Sequence, residues 1–171
     1  MTLLAPHHDV ALDIVLRPMH GTDAARLARF HATLSPDTTR WRFFIVHPEL
    51  SALELDRFTH VDHVAREAVV ATIGGEIVGV GRYDREPAGT VAEVAFVVGD
   101  GWQRRGIAGA LFHTLADHAR AAGITRFHAV TLPDNQRMLR VFRRMGLPMT
   151  TAYDDGTVHV DIDLGPTTMS A

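Results

Sequence analysis

The chain runs to 171 residues with 17 basic and 20 acidic side chains, a net charge of −3 with its 11 histidines neutral. That length is one domain's worth, enough to bury roughly 70% of the unfolded surface in a single core, and a composition of 46% hydrophobic against 22% charged residues excludes wholesale disorder. The absence of cysteine excludes a disulfide scaffold, thiolate metal sites and any acyl-cysteine intermediate. All 17 basic residues are arginine, a bias that a GC-rich genome explains. The mild acidity argues against a nucleic-acid surface. Residues 1–10 lack the basic start and long apolar stretch of a secretory signal. The longest apolar run, residues 94–98, is far shorter than the roughly 18 residues of a membrane span. The expectation is a cytoplasmic protein with no membrane and no nucleic-acid partner.

In chain order, residues 13–19 alternate Ile14 and Leu16 before Pro18, which reads as a short edge strand. Thr22 and Asp23 cap an amphipathic helix to about Leu34, with Ala24, Leu27, Ala28, Phe30 and His31 on its buried stripe. Ser35-Pro36-Asp37 starts another helical turn toward Phe43 and Phe44. Ser51 and Glu54 form a capping box that opens a helix carrying Leu53, Leu55 and Phe58. Residues 68–73 and 76–84 flank Gly74-Gly75 as a hairpin, and residues 91–98 follow as a third strand. Beyond Gly99-Asp100-Gly101 the period changes from 2 to 3.6: Ala108, Leu111, Phe112, Leu115, Ala119 and Ala122 share a helical face that ends at Gly123. Residues 126–131 read as a strand, 135–145 as a helix closed by Gly146, and 158–164 as a last strand. The sum is an α/β fold with a central mixed sheet flanked by helices. It makes one domain over residues 1–171, with its core at about 13–164 and a frayed tail from residue 165.

The segment Glu93 to Ala108 is a strand feeding a turn that opens the long helix. Gly106, lacking a side chain, lets the backbone N–H groups at the helix start approach a ligand closely, and the helix dipole favours an anion there. Arg104 and Arg105 add positive forks suited to phosphate oxygens. A diphosphate is the physical expectation.

Gln103-x-x-Gly106-x-Ala108 at this junction resembles the acyl-CoA pyrophosphate loop of the GNAT N-acetyltransferase superfamily. Asn135-x-x-Met138-x-x-Val141-Phe142 running to Gly146-Leu147 is similar to the superfamily's second signature. The likeness extends from Ile14 to about Leu147. Leu34-Ser35-Pro36, Arg42-Phe43-Phe44, Pro48-Glu49-Leu50-Ser51 and Gly79-Val80-Gly81-Arg82-Tyr83 look like the acetyltransferase domain of bacterial Pat-type protein lysine acetyltransferases, here without the regulatory or synthetase-like domain those proteins often carry.

The resemblance implies a GNAT fold, a mostly antiparallel sheet splayed at an acetyl-CoA site between strand 91–98 and strand 126–131. Backbone groups of Phe96, Val97 and Val98 would pair with the pantetheine, and an N–H near Val97 would stabilise the oxyanion. Gln103, Arg104, Arg105, Gly106, Ile107 and Ala108 would hold the pyrophosphate. Asn135 would contact the cofactor arm or cap its helix. A lysine-like amine is only about 0.04% neutral at pH 7, so attack needs a base. Glu93 matches the position of the catalytic glutamate, and its apolar flanks, Val91, Ala92, Val94, Ala95 and Phe96, lead us to expect a raised pKa. Phe142 stands where many GNAT enzymes place a tyrosine acid, which leaves the acid unassigned; Tyr83 and Tyr153 are weak substitutes.

His60 and His63, with Asp62 between them, lack a third ligand, so no metal is expected. His113 and His118 read as solvated or packing residues. Trp41, Phe43 and Phe44 line an acceptor cleft or belong to the core. The expected activity is direct transfer from acetyl-CoA, in a ternary complex, to a protein lysine. A small amine as acceptor and a non-catalytic acyl-CoA-binding sensor are the alternatives, and the protein would be a monomer or homodimer.

Overall fold

The computed structural model describes residues 13–87 and 89–166. Readings placed on residues 1–12, on Ala88 in the 86–89 loop and on the tail at 167–171 lie outside the described residues. Strand β1 (Val15–Pro18) leads through a 3-10 turn (Gly21–Asp23) to three helices, α1 (Ala24–Ala32), α2 (Pro36–Phe43) and α3 (Ala52–Thr59). Then come β2 (Arg66–Ile73), β3 (Glu76–Arg85), β4 (Val91–Val98), a second 3-10 turn (Asp100–Trp102) and α4 (Ile107–Ala121). The chain continues with β5 (Arg126–Thr131), α5 (Gln136–Arg144), β6 (Met149–Asp154) and β7 (Thr157–Asp163). The strands form one sheet in the order β1-β2-β3-β4-β5-β7-β6, antiparallel at every junction except β4–β5.

The local signals account for most of these elements. Ser35 caps α2 by accepting from the Thr38 amide, with Pro36 at the first helical position, and Ser51 and Glu54 close a reciprocal capping box on α3. Asp23 departs from expectation. Its carboxylate does not cap α1 but takes two bonds from the Arg17 guanidinium, at 2.7 and 2.8 Å, and one from the His20 amide. The bidentate pair ties β1 to the turn before α1.

A second departure is β6, since only one strand was expected after α5. Nearly every residue of β6 is exposed, so no inside–outside alternation marks it. What forms it is the turn, Asp155-Gly156, both at positive φ of 43° and 75°, the pairing that two-residue hairpins require.

The sheet has two differently used faces. On one, α4 and α5 bury Phe112, Leu115 and Phe142 against Tyr83, Val94, Phe96 and Phe127. On the other, Leu27 and Phe30 of α1 and Phe58 of α3 pack on Ala68, Val70 and Val80. Gly81 on β3 sets the spacing of α4: a Cβ there would stand 2.9 Å from both Leu115 and Phe96. Its absence lets the helix lie directly against the strands that carry the site.

Candidate active site

Strands β4 and β5 pair over three rungs only, Val91 with Arg126, Ala92 with Phe127 and Glu93 with His128. Beyond Glu93 they diverge, because β5 keeps its full length paired to β7 while β4 stays paired to β3 through Val98. Which backbone groups this exposes follows from register. The Glu86 amide bonds the Val91 carbonyl and the Gly99 amide bonds the Val78 carbonyl. Since hydrogen-bonded rungs of an antiparallel ladder alternate, residues 91, 93, 95, 97 and 99 turn their peptide groups toward β3. Phe96 and Val98 therefore turn theirs into the splay, whereas the Val97 amide is committed to β3. The N–H groups near Val97 that point into the splay are therefore those of Phe96 and Val98.

The splay opens onto a cleft of about 500 Å³. The turn at its floor carries two left-handed residues, Arg104 at φ 62° and Gly106 at φ 80°, and open space lies where a Gly106 Cβ would stand. Gly106 is the residue before α4, and its carbonyl accepts the first intrahelical bond, from Ala110. The first amides of the helix are left without intrahelical partners and carry the positive end of its dipole. Gln103 spans the cleft. Its Nε2 donates to the Val98 carbonyl at 3.1 Å and its Oε1 accepts from Arg137 at 2.6 Å.

Of the cofactor residues read from the sequence, Phe96, Val97, Val98, Gln103, Arg104, Gly106, Ile107, Ala108 and Asn135 line this cleft. Arg105 does not. Its guanidinium lies over the Trp102 ring, 5.2 Å from the centroid, because the left-handed step at Arg104 sends the two neighbouring side chains apart. Asn135 is buried and its Oδ1 accepts from the Met138 amide at 3.2 Å, so it caps α5 at the cleft wall.

Sequence reasoning missed the opposite wall. Arg137, Arg140 and Arg144 line the cleft from α5 beside Met138, Val141 and Met145. Their spacing of three and four residues places them on one helical face, a signal available in the sequence. With Arg42 and Arg104 they make five arginines and no carboxylate among the lining residues. Although the chain is acidic overall, this concavity is built for an anion.

Helix α2 forms the third wall, through Thr38, Trp41 and Arg42. It is tied down twice. Asp100 accepts from the Ser35 amide and hydroxyl and from the Thr38 hydroxyl; burial pushes its carboxyl up, but these bonds together hold it below the usual range. Arg40 pairs with Asp134, holding that carboxyl low across to the β5–α5 loop. The Trp41 indole N–H adds to this field on Asp134 without reaching hydrogen-bond geometry. Phe43 packs against His31, His47 and Phe58 instead, and Phe44 is exposed at a left-handed position.

Glu93 lies at the point where the strands part, on the face away from α4. It is exposed, while Ala92, Val94 and Phe96 are buried. Strand alternation turns Ala92, Val94 and Phe96 to the other side of the sheet, which leaves only Val91 and Ala95 of its apolar flanks on its own face. Its surroundings are polar. Arg42 is pushed down to about 10 by burial and by Arg82, with Glu93 and Asp84 opposing that shift. Arg82 pairs with Asp84 at 3.5 Å and lies over the Phe58 ring.

Other candidates fall away from the cleft. Phe142 packs with Phe96 and Phe112 in the core, Tyr83 is fully buried with burial pushing its hydroxyl up to about 12, and Tyr153 is exposed on β6. His60 ends α3 and turns to Asp56, whereas His63 adopts a left-handed backbone and bonds Glu67; they do not share a helical face. His118 also bonds Glu67, at 3.2 Å. Among the described residues no helix is long and apolar enough to cross a membrane.

Residues 29–147 match the Acetyltransferase (GNAT) family. The chain is 34% identical over 154 residues to Acetyltransferase Pat of Mycolicibacterium smegmatis, covering 88% of this chain and 46% of that protein, so it spans about half the length of that curated relative. The GNAT domain of S. lividans PAT superposes with a TM-score of 0.84 at 40% identity, covering 94% of this chain and 99% of that one. The fold also matches yncA of Salmonella typhimurium, solved with its cofactor acetyl-CoA, with a TM-score of 0.72 at 16% identity over 89% of this chain and 94% of the other.

Proposed function

The chain belongs to the GNAT acetyltransferase family, and on that premise we propose that it transfers an acetyl group from acetyl-CoA to a primary amine, with a protein lysine as acceptor and Glu93 as general base. The observation that carries this reading is the continuity of the cleft. The Phe96 peptide group and the Val98 amide, neither paired with β5, lead directly to the start of α4 and to the arginines that line the cleft.

The Phe96 peptide group and the Val98 amide bind the pantetheine as an added strand would, and one of their N–H groups stabilises the oxygen that gains charge as the amine adds. The free amides at the start of α4, with Arg104, hold the diphosphate. Arg137, Arg140 and Arg144 supply further charge along the same wall. Glu93 takes the ammonium proton directly or through a water, the amine attacks in a ternary complex, and the thiolate of CoA, with a thiol pKa of about 8.5, leaves without a tyrosine acid. Glu93 stands on an exposed face beside Arg42, Arg82 and Asp84 rather than inside an enclosed cavity. That exposure favours a lysine on a macromolecule, and the setting is cytoplasmic. We read residues 13–164 as a single catalytic domain.

The test is an acetyl-CoA turnover screen against a panel of small amines and a lysate with lysine-acetylation readout. Protein lysines are expected to be modified. Transfer to small amines alone overturns the protein acceptor, and no transfer to any acceptor overturns the enzymatic reading.

A further inference from the structure

Of the five arginines that line the cleft, four stand about its phosphate end. Arg104 lies in the turn before α4, and Arg137 donates to Gln103 of that turn at 2.6 Å. Arg140 and Arg144 follow Arg137 along one face of α5. Arg42, on α2, is set apart from them. The charges that act on it are Arg82, Glu93 and Asp84, so it belongs to the opposite end of the cleft, where β4 and β5 part. That is where a thioester has to lie to meet an amine held by Glu93.

Arg42 also lacks a counter-ion in contact. Among the described residues no carboxylate forms an ion pair with its guanidinium, and no group accepts a hydrogen bond from it. Asp84 is shared between Arg66, at 3.0 Å, and Arg82, at 3.5 Å. What Arg42 touches is the ring of Phe43, with its Cζ 4.9 Å from the centroid. Stacking on a ring orients the guanidinium plane and leaves the N–H groups along its edge available. Although burial pushes Arg42 down to about 10, it remains a cation at neutral pH. A half-buried cation without a partner is costly, and a carboxylate offered in its plane takes two parallel N–H bonds from it.

The cleft lining indicates which substrate brings that carboxylate. Arg42 borders the cleft with Trp41, Phe96 and Val97, whereas Glu93 is exposed and does not line it. The acceptor amine approaches from the side of Glu93, and Arg42 faces the space that the acyl donor fills. We propose that Arg42 selects the acyl group, and that besides acetyl-CoA the cleft takes a short acyl-CoA ending in a carboxylate, of the succinyl or malonyl class, with that carboxylate on the Arg42 guanidinium. The inference rests on the reading of the cleft as an acyl-CoA site and of Glu93 as base. In the transfer the amine nitrogen bonds the thioester carbon and the C–S electron pair leaves on the CoA sulfur. Of the two protons that the ammonium loses, one goes to Glu93 and the other to the thiolate. The terminal carboxylate stays charged throughout, so the modified amine exchanges a positive charge for a negative one.

The experiment compares succinyl-CoA, butyryl-CoA and acetyl-CoA as donors for the full chain and for Arg42→Gln, using the acceptor found in the screen. Butyryl-CoA has the chain length of succinyl-CoA without the carboxylate, so the ratio of their kcat/KM values reads charge and not size. The wild type should favour succinyl-CoA over butyryl-CoA roughly 10- to 100-fold, the worth of a charge-assisted pair, and Arg42→Gln should bring that ratio near unity. A wild type that uses succinyl-CoA no better than butyryl-CoA overturns the proposal without any variant, which keeps it falsifiable if Arg42→Gln fails to fold. A ratio that Arg42→Gln leaves in place overturns it as well. So does a loss in Arg42→Gln that is equal for all donors and disappears on acceptors without an acidic neighbour, since Arg42 then reads the acceptor. If no donor is turned over, the enzymatic reading falls by itself, and the ratio of the Kd values of succinyl-CoA and butyryl-CoA, taken by titration calorimetry on both proteins, decides the role of Arg42 separately.

Discussion

The two faces of β4 make unequal demands on one eight-residue strand. Ala92, Val94, Phe96 and Val98 are buried against α4 and α5, in a core where Phe112 and Phe142 meet Phe96 at ring distances of 5.9 and 6.3 Å. Glu93, Ala95 and Val97 look the other way, toward Arg42, Arg82 and the helices that precede the sheet. The first face specifies where the strand is, and the second carries the proposed base. A period of two residues lets both coexist without compromise. The difference teaches that the chemistry proposed for Glu93 is separated from the packing by no more than the thickness of the sheet.

Substitutions on the two faces should separate these demands. Glu93→Gln should lower kcat by roughly 10²- to 10⁴-fold while leaving acetyl-CoA affinity and thermal stability near wild type, checked by steady-state kinetics beside a binding titration. Phe112→Ala should do the reverse. It empties a fully buried site and should cost about 3–5 kcal/mol in denaturant unfolding, with any loss of activity tracking the unfolded fraction. Gly106→Ala sits between the two. A side chain at φ 80° costs about 1–2 kcal/mol, and the expected result is a lower Tm with weaker acetyl-CoA binding at an unchanged kcat.

A smaller effect belongs to the layer that shelters the second face. The Arg17 guanidinium bonded to Asp23 holds that carboxyl down to about 2, against the opposing effect of burial. A carboxylate depressed in the folded state stabilises the protein above its unfolded pKa, and the stabilisation fades as pH falls through the folded one. Here the window runs from about pH 4 down to about pH 2. With Arg17 partly exposed, the contribution is roughly 1–2 kcal/mol. Acid unfolding of Asp23→Asn should lack this component, and identical acid curves for the two proteins would count against the pairing.

The smallest expected change is none at all. The chain has no lysine, so prolonged incubation with acetyl-CoA should add no acetyl group except at the amino terminus. Intact-mass spectrometry showing an adduct elsewhere would contradict a transfer confined to amines.

Much of this was legible from residue order. The hairpin at Gly74-Gly75, the Ser51 box, the long helix before Gly123 and the glycine-bearing turn at Gln103 to Ala108 are local features, each set by neighbours within a few positions. Strand β6 escaped because its residues have no buried face, although Asp155-Gly156 announced its turn. The arginine wall of α5 was visible as a helical spacing. The surroundings of Glu93 were not, because its immediate neighbours along the strand, Ala92 and Val94, report on the opposite face.

Sequence alone determined that a strand, a glycine-bearing turn and a long helix stand in succession, with a carboxylate five residues before the strand's end, because these are matters of period, caps and backbone freedom. The tertiary structure decided which amides are free, that Arg105 turns away to Trp102, and that His128 stands across from Glu93. Those outcomes depend on how far β4 and β5 stay paired and on which rungs of the ladder are bonded. Both are set by contacts between segments distant along the chain, and no single segment carries them.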